Sequence, residues 1–158
     1  MHIVFILGLV VLVALDQITK WLVVVNLKPI HDIPIIEGIF HLTYVENRGA
    51  AFGILQGRHL FFIITTLIVI IGVTIYYFKL PQEKKYHWMR LSLVLLVSGA
   101  IGNLIDRIRL NYVIDFLYFK LIDFPVFNIA DICVVVGVSI LSIFVLLVPD
   151  EKDIKGSL

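Results

Sequence analysis

The stretch LFFIITTLIVIIGVTIYYF, residues 60 to 78, contains no charged side chain and decides the class of fold. A helix needs ~20 mainly apolar residues to cross a bilayer, and this stretch has about that length. Of the 158 residues, 60% are hydrophobic and 16% are charged, and the mean hydropathy is +1.02. Soluble domains are closer to half apolar. The composition therefore excludes a soluble domain and predicts an integral membrane protein.

Three more apolar stretches lie outward from this one, at residues 3 to 25, 91 to 107 and 126 to 148. Together they predict a membrane α-helical fold with four transmembrane helices, in one domain over residues 1 to 158. No internal repeat or low-complexity tract indicates a second domain. The first stretch lacks a basic n-region and a small-x-small cleavage site, so it is interpreted as a retained helix rather than a signal peptide.

The connections between the spans predict the orientation of the chain. Residues 79 to 90, KLPQEKKYHWMR, are short and basic, and the positive-inside rule places them in the cytoplasm together with both termini. The outer connections, which include PIIEGIFHLTYVENRGAAFGIL (34 to 55) and NYVIDFLYFKLIDFPVF (111 to 127), are rich in β-branched and aromatic residues. They are predicted to pair as a small sheet at the outer membrane surface.

Charged residues occur in three of the four spans. A charge inside a span costs a few kcal/mol on insertion scales, so such residues usually face a partner or a cavity. In the first span, DQITK places Asp16 and Lys20 one helical turn apart, where they can neutralise each other. A structural ion pair is sufficient to explain these two residues taken alone.

The third span ends in SGAIGNLIDR, which places Gly99, Gly102, Asn103 and Asp106 on one face of a helix. The small residues favour close helix packing. Packing alone does not account for Asn103, Asp106 and Arg107. Arg107 is suited to holding a carboxylate or a carbonyl.

Two aspartates are predicted near the outer interface. Asp115 lies in VIDF, a predicted strand, and Asp131 begins the fourth span three residues after Asn128. A helix cap or an interfacial carboxylate explains each one taken singly. If the two carboxyl groups converge, they cannot both ionise easily, and they share a proton as an acid and a base.

Several classes of chemistry lack their sequence motif. The chain has no GxSxG, HExxH, Walker or GxGD motif, which argues against serine, zinc and nucleotide chemistry and against presenilin-type sites. Its single cysteine, Cys133, excludes a disulfide framework. A net charge of +1 without a basic run indicates no nucleic-acid partner. No cofactor or metal is expected.

Five motifs together resemble one family, the lipoprotein signal peptidases, or signal peptidase II. They are DQITK (Asp16 to Lys20), NRGAAFG (Asn47 to Gly53), SGAIGNLIDR (Ser98 to Arg107), VIDF (Val113 to Phe116) and FNIAD (Phe127 to Asp131). Their order and spacing match as well, and the similarity covers essentially the whole chain. One departure is Ser98, where the family often has glycine.

The resemblance implies four transmembrane helices, a small extracytoplasmic β-cradle and a short outer helix or loop that closes over the substrate. It also implies cleavage before the diacylglyceryl-modified cysteine of a prolipoprotein in the bacterial inner membrane, near its outer face. Membrane lipid and cyclic-peptide inhibitors of the globomycin type are implied as further partners. By resemblance, Asp115 and Asp131 are catalytic. Substrate binding or support falls to Asn47, Gly49, Asn103, Arg107, Asn128 and Ala130, and structural support to Asp16, Lys20 and Asp106.

Two alternatives are weighed against this interpretation. A small proton-coupled transporter would use Asp16, Lys20, Asp106 and Asp131 as a relay through the bundle, but these charges gather toward one predicted side of the membrane. A noncatalytic scaffold would bind partners through the outer β-prone segments. It offers no reason for two buried carboxyl groups.

Overall fold

The computed structural model describes residues 2 to 49 and 57 to 147. Its helices are α1 (His2–Asn26), α2 (His59–Lys79), α3 (His87–Leu110) and α4 (Ile129–Leu147), and its strands are β1 (Asp32–Ile36), β2 (Phe40–Asn47) and β3 (Val113–Phe119). Within these residues, two short 3-10 turns cover Lys84–Tyr86 and Lys120–Ile122. All four helices are long and apolar enough to cross a membrane. The predicted four-helix fold is confirmed.

The three strands form one antiparallel sheet in the order β1-β2-β3. The β1–β2 hairpin turns at Gly38, whose φ of 70° lies in the left-handed region that glycine adopts readily. Strands β2 and β3 pair Asn47 with Val113 and Val45 with Asp115. The two outer connections therefore pair as predicted, and the pairing brings Asn47 next to Asp115.

Two helices begin at residues that differ from the predicted bounds. Helix α3 starts at His87 because the 3-10 turn of the basic connection leads directly into it, and it continues past Arg107 to Leu110. Helix α4 starts only at Ile129, since the backbone of Phe127 exchanges hydrogen bonds of 2.8 and 3.0 Å with Leu117 of β3. This exchange anchors the start of α4 to the sheet.

Helix α3 is the central helix of the bundle. Half of the residues in its most apolar stretch are buried, whereas the share is 17% or less in the other three helices. At the end that carries the α2–α3 connection it packs in an apolar core of Phe5, Tyr77, Leu80, Met89, Leu93, Val94 and Val97. At the sheet end a second core contains Val23, Leu27, Tyr44, Ile114 and Phe116. The buried charged residues of α1 and α3, which are Asp16, Lys20 and Asp106, belong to neither core.

Two glycines allow α3 to approach its neighbours. A methyl group on Gly99 would collide with the carbonyl oxygen of Ala130 in α4. On Gly102 it would lie 2.5 Å from Oδ2 of Asp16 in α1. The close packing predicted for this face is confirmed, and it places polar groups of three helices within hydrogen-bonding distance.

Candidate active site

Lys20 lies between two carboxylates in the interior of the bundle. Its Nζ is 3.0 Å from Oδ2 of Asp16 and 2.9 Å from Oδ2 of Asp106. All three residues are almost completely buried. The predicted Asp16–Lys20 pair is present, and Asp106 extends it to a triad that ties α1 to α3. Sequence spacing reveals the Asp16–Lys20 pair within α1, but not the contact of Lys20 with Asp106 in α3.

Backbone groups complete the coordination of the triad. Asp16 Oδ1 accepts the N–H of Ala130 at 3.0 Å, and Asp106 Oδ2 accepts the N–H of Ile114 at 3.1 Å. A buried charge is tolerated when it is paired and hydrogen-bonded. The triad thus fixes the first turn of α4 and the start of β3 relative to α1 and α3. Ala130 is buried at this junction.

Gln17 is a site residue for which the sequence analysis gave no role. Its Nε2 donates to Gly102 O at 3.2 Å and to Asp106 Oδ1 at 3.0 Å, so it also joins α1 to α3. It makes a further contact of 3.2 Å with Asp16 Oδ2. A glutamine beside an aspartate within a membrane span was the signal that should have identified it.

The amide of Asn103 connects this triad to one of the predicted catalytic residues. Lys20 Nζ donates to Asn103 Oδ1 at 2.9 Å, and Asn103 Nδ2 donates to Asp131 Oδ1 at 2.8 Å. Because an ammonium group can only donate, it requires the oxygen of the amide on its side. The amino group of Asn103 therefore faces Asp131.

Asn128 and Asp131 form a reciprocal cap at the start of α4. The N–H of Asp131 donates to Asn128 Oδ1, and the N–H of Asn128 donates to Asp131 Oδ2, both at 3.0 Å. This is the geometry of a capping box. The helix-cap interpretation of Asp131 is therefore right, and it is compatible with a functional one. The cap directs the amino group of Asn128 toward β3.

Asp115 receives one amide donor on each carboxyl oxygen. Asn128 Nδ2 donates to Oδ1 at 2.6 Å and Asn47 Nδ2 donates to Oδ2 at 2.9 Å. The amide of Asn47 is oriented in turn, because its oxygen accepts the N–H of Gly49 at 3.0 Å. Asn47 and Gly49 belong to the NRGAAFG motif, whose residues 50 to 53 lie outside the described part of the chain.

Both aspartates line one cavity of about 760 Å³. Its polar wall also contains Asn47, Gly49, Asn103 and Arg107. Its apolar wall includes Phe124 to Phe127 before α4 and Val134 to Val136 within it. The structure thus brings six of the predicted site residues to this cavity, Asp115, Asp131, Asn47, Gly49, Asn103 and Arg107, and Asn128 hydrogen-bonds to both aspartates.

The environment of Asp115 favours its protonated form. Burial of the carboxyl group, followed by the nearby charge of Asp131, raises the pKa of Asp115 to about 7. The hydrogen bonds from Asn47 and Asn128 act in the opposite direction but do not outweigh burial. Near neutral pH this carboxyl group can therefore hold a proton beside a second carboxyl group in the same cavity.

The outer wall of the cavity carries a charged cluster that the sequence analysis did not single out. Glu46 Oε1 accepts hydrogen bonds from Lys28 at 3.2 Å and Tyr44 at 3.1 Å, and its Oε2 accepts one from Arg48 at 3.0 Å. Burial acts to raise the pKa of Glu46, but these donors lower it below its ordinary value. The charges of the VENR segment, which alternate along a predicted strand, were the available signal.

Comparisons with known proteins agree with this arrangement. The family described as Signal peptidase (SPase) II matches residues 8 to 147. A lipoprotein signal peptidase of Clostridioides difficile is 49% identical over 142 residues, which are 90% of this chain and 94% of that protein. One from Caldanaerobacter subterraneus is 53% identical over 132 residues, 82% of this chain and 86% of its relative.

Solved structures show the same fold. A bacterial membrane enzyme determined by the in meso method at 2.3 Å resolution is 36% identical, with a TM-score of 0.83 over 90% of this chain and 87% of that one. A second such enzyme, at 1.9 Å, gives a TM-score of 0.79 at 36% identity over 92% and 94% of the two chains.

The proton-coupled transporter finds no support in these matches or in the placement of the charges. The family match covers most of the chain, includes the Asp16–Lys20 segment, Asn47 and both aspartates of the cavity, and agrees with the four membrane-spanning helices. This multi-pass membrane chain belongs to the signal peptidase II family of bacterial peptidases.

Proposed function

We propose that this protein is an aspartic endopeptidase that removes the signal peptide from diacylglyceryl-modified prolipoproteins by cleaving before the lipidated cysteine. One observation carries the aspartic mechanism. Asp115 and Asp131 line the same cavity and are bridged by Asn128, which donates from its side chain to Asp115 and from its backbone to Asp131. Two carboxyl groups in one poorly solvated site supply an acid and a base together.

The two carboxyl groups have different surroundings, which favours one arrangement of the proton. Asp131 lies in the first turn of α4, where the helix dipole stabilises negative charge, and it accepts a backbone N–H. It also accepts a hydrogen bond from the amide of Asn103, and Lys20 polarises that amide by donating to its oxygen. Asp115 lies in a buried strand and receives two neutral amides. We therefore assign the base to Asp131 and the acid to Asp115.

In the first step Asp131 takes a proton from water, and the hydroxide oxygen bonds to the scissile carbonyl carbon while Asp115 donates its proton to the carbonyl oxygen. In the second step the C–N bond breaks as Asp131 passes its proton to the leaving nitrogen. Asp115 recovers its proton as the carbonyl group re-forms. The products are the carboxyl end of the signal peptide and the free amine of the lipidated cysteine. No cofactor takes part in these steps.

Arg107 and Asn47 line the cavity beside the carboxyl groups, where their N–H groups are available to hold the extended peptide or the oxygen that gains charge. The wall at Val134 to Val136 is apolar, and Val135 is largely exposed on the lipid-facing side of α4. Acyl chains of a lipidated substrate would bury apolar surface there, at ~25 cal/mol per Å². Cyclic-peptide inhibitors of the globomycin type would compete for the same cavity.

We propose the inner (cytoplasmic) membrane of a bacterium as the location, with the sheet and the cavity at the outer face. The connection between α2 and α3 carries Lys84, Lys85 and Arg90, and the positive-inside rule places it in the cytoplasm. With four spans, both termini then lie on the cytoplasmic side. A cysteine-accessibility scan that labels position 37 of the β1–β2 turn from outside the cell, but not position 84, would agree with this orientation.

The decisive experiment is cleavage of a diacylglyceryl prolipoprotein by the purified protein in detergent with a chelator present. We expect Asp115→Asn and Asp131→Asn each to reduce kcat by about a thousandfold or more, since each removes an obligatory proton carrier. Asp123→Asn is the matched control. Asp123 is exposed and its φ is 47°, a conformation that asparagine also adopts.

A folded Asp115→Asn or Asp131→Asn variant with near-normal activity would contradict the aspartic assignment. Loss of activity in Asp123→Asn would show that the assay does not separate the cavity from the surface. If the wild-type protein cleaves only after metal is restored, the proposed chemistry is wrong. An inactive but folded wild type would contradict the proposed substrate.

A further inference from the structure

Helix α2 contacts Arg107, a residue of the cavity wall, through an aromatic side chain. The guanidinium carbon of Arg107 lies 5.0 Å from the ring centroid of Phe62, a cation–π contact between α3 and α2. Residues 60 to 78 of this helix are uncharged, and none of them was predicted to belong to the site. Arg107 lines the cavity and belongs to the SGAIGNLIDR motif.

The ring matters because little else holds the guanidinium group. Within the described residues, Arg107 takes part in no salt bridge, and its one hydrogen bond is a long one of 3.4 Å to the carbonyl oxygen of Asn103 in its own helix. A long flexible side chain without a fixed partner samples several rotamers. The contact with the ring of Phe62 in α2 restricts the rotamers of the Arg107 side chain.

An aromatic ring also differs chemically from a carboxylate partner. A carboxylate would accept hydrogen bonds from the guanidinium group and neutralise its charge. The π-face attracts the cation through its quadrupole and leaves the N–H groups free. It therefore holds Arg107 at the cavity wall with its charge available to a substrate, and away from an ion pair with Asp131 that would compete with proton transfer.

We propose that Phe62 is a positioning residue that holds the Arg107 guanidinium group in place for the peptide carbonyl of the substrate. This inference rests on the proposed function and extends the active site to α2. The residue before it provides the contrast. The ring of Phe61 is 5.6 Å from that of Phe62, but Phe61 is 51% exposed on the lipid-facing surface, whereas Phe62 is partly buried.

The test compares substitutions that keep volume with substitutions that keep the ring. Phe62→Leu and Phe62→Met preserve an apolar side chain but remove the π-face, and we expect kcat/KM for prolipoprotein cleavage to fall about 3- to 30-fold, from a contact of ~0.5–2 kcal/mol. Phe62→Tyr retains the ring and should stay within about 3-fold of wild type. Phe61→Leu, the matched control, should stay within about 2-fold.

Thermal unfolding in detergent separates positioning from packing. If Phe62 only fills space, Phe62→Met should be as active as Phe62→Tyr, and any loss of activity should follow a loss of Tm. Either result overturns the inference, as does a Phe62→Leu variant within 2-fold of wild type or a Phe61→Leu variant that is equally impaired. All these variants keep both aspartates. A wild type that fails to cleave would refute the proposed function, whereas failure of the Phe62 inference leaves wild-type cleavage intact.

Discussion

The two ends of the helix bundle are held together by different kinds of contact, apolar packing at one end and buried polar contacts at the other. At the α2–α3 end, α1, α2 and α3 meet in an apolar core around Tyr77, Leu93 and Val97. Toward the sheet end, the same α1 and α3 meet α4 through Lys20, Asp16 and their hydrogen-bonded partners. Lipid is as apolar as leucine, so packing alone brings helices together at the first end. At the second end, each buried polar group needs a partner on another element.

This contrast shows which part of the protein is specialised. An apolar contact can be replaced by another of similar volume at small cost. The polar layer has no such freedom, because leaving a buried donor or acceptor without its partner costs more than the bond contributes. The sheet end therefore tolerates fewer substitutions, but its contacts hold Asn103, Asn128 and Asn47 in a fixed orientation around the two aspartates.

Among the substitutions that test this contrast, Lys20→Met should have the largest effect on stability and activity. It removes the cation shared by Asp16 and Asp106 and frees the amide of Asn103 to rotate. Breaking a buried ion pair from one side costs ~3–5 kcal/mol, so we expect a large fall in Tm in detergent together with loss of cleavage. Lys28→Met removes an exposed pair with Glu46 and should cost under ~1 kcal/mol. Equal Tm values for the two variants would contradict the role of the triad.

A smaller effect is expected where the helices approach through glycine. Gly99→Ala places a methyl group against the carbonyl oxygen of Ala130, and overpacking of this kind costs ~1–3 kcal/mol. It should also displace the first turn of α4 and lower kcat. Gly72→Ala in α2 meets nothing within 4 Å and should be neutral or slightly stabilising, because alanine favours helices. Tm and kcat of the two variants, measured side by side, test this difference.

The smallest effect, taken per pH unit, is a dependence of stability on pH. Because the folded-state pKa of Asp115 is raised from 3.8 to about 7, the folded state keeps a proton that the unfolded state releases. Stability is complete below pH 4 for this group and is lost as pH rises toward 7, by on the order of 1 kcal/mol per pH unit. Comparing wild type with Asp115→Asn between pH 5 and 7 checks the sign. Tm of the wild type should fall relative to that of the variant.

Catalysis should follow the same titration. If Asp115 acts as the acid, kcat/KM decreases above about pH 7 as its proton is lost. Activity that continues to rise to pH 9 would contradict the assignment of the acid.

The sequence by itself determined the fold class, the four spans, the outer β-prone segments and most of the polar site residues, although not Gln17. It did so because charged and amide side chains are conspicuous where lipid excludes them. Asp16, Lys20, Asn103, Asp106 and Asp131 could be selected without knowing a single contact.

Only the tertiary structure decided which of these residues meet. The approach of Asp115 and Asp131 depends on a strand and a helix linked through Asn128, and the third member of the Lys20 triad comes from another helix. Phe62 could not be found at all from sequence, since an aromatic residue facing lipid and one lying under a guanidinium group give the same apolar pattern. Contacts between elements distant in sequence depend on how the elements pack, and the periodicity of a single segment contains no information about that packing.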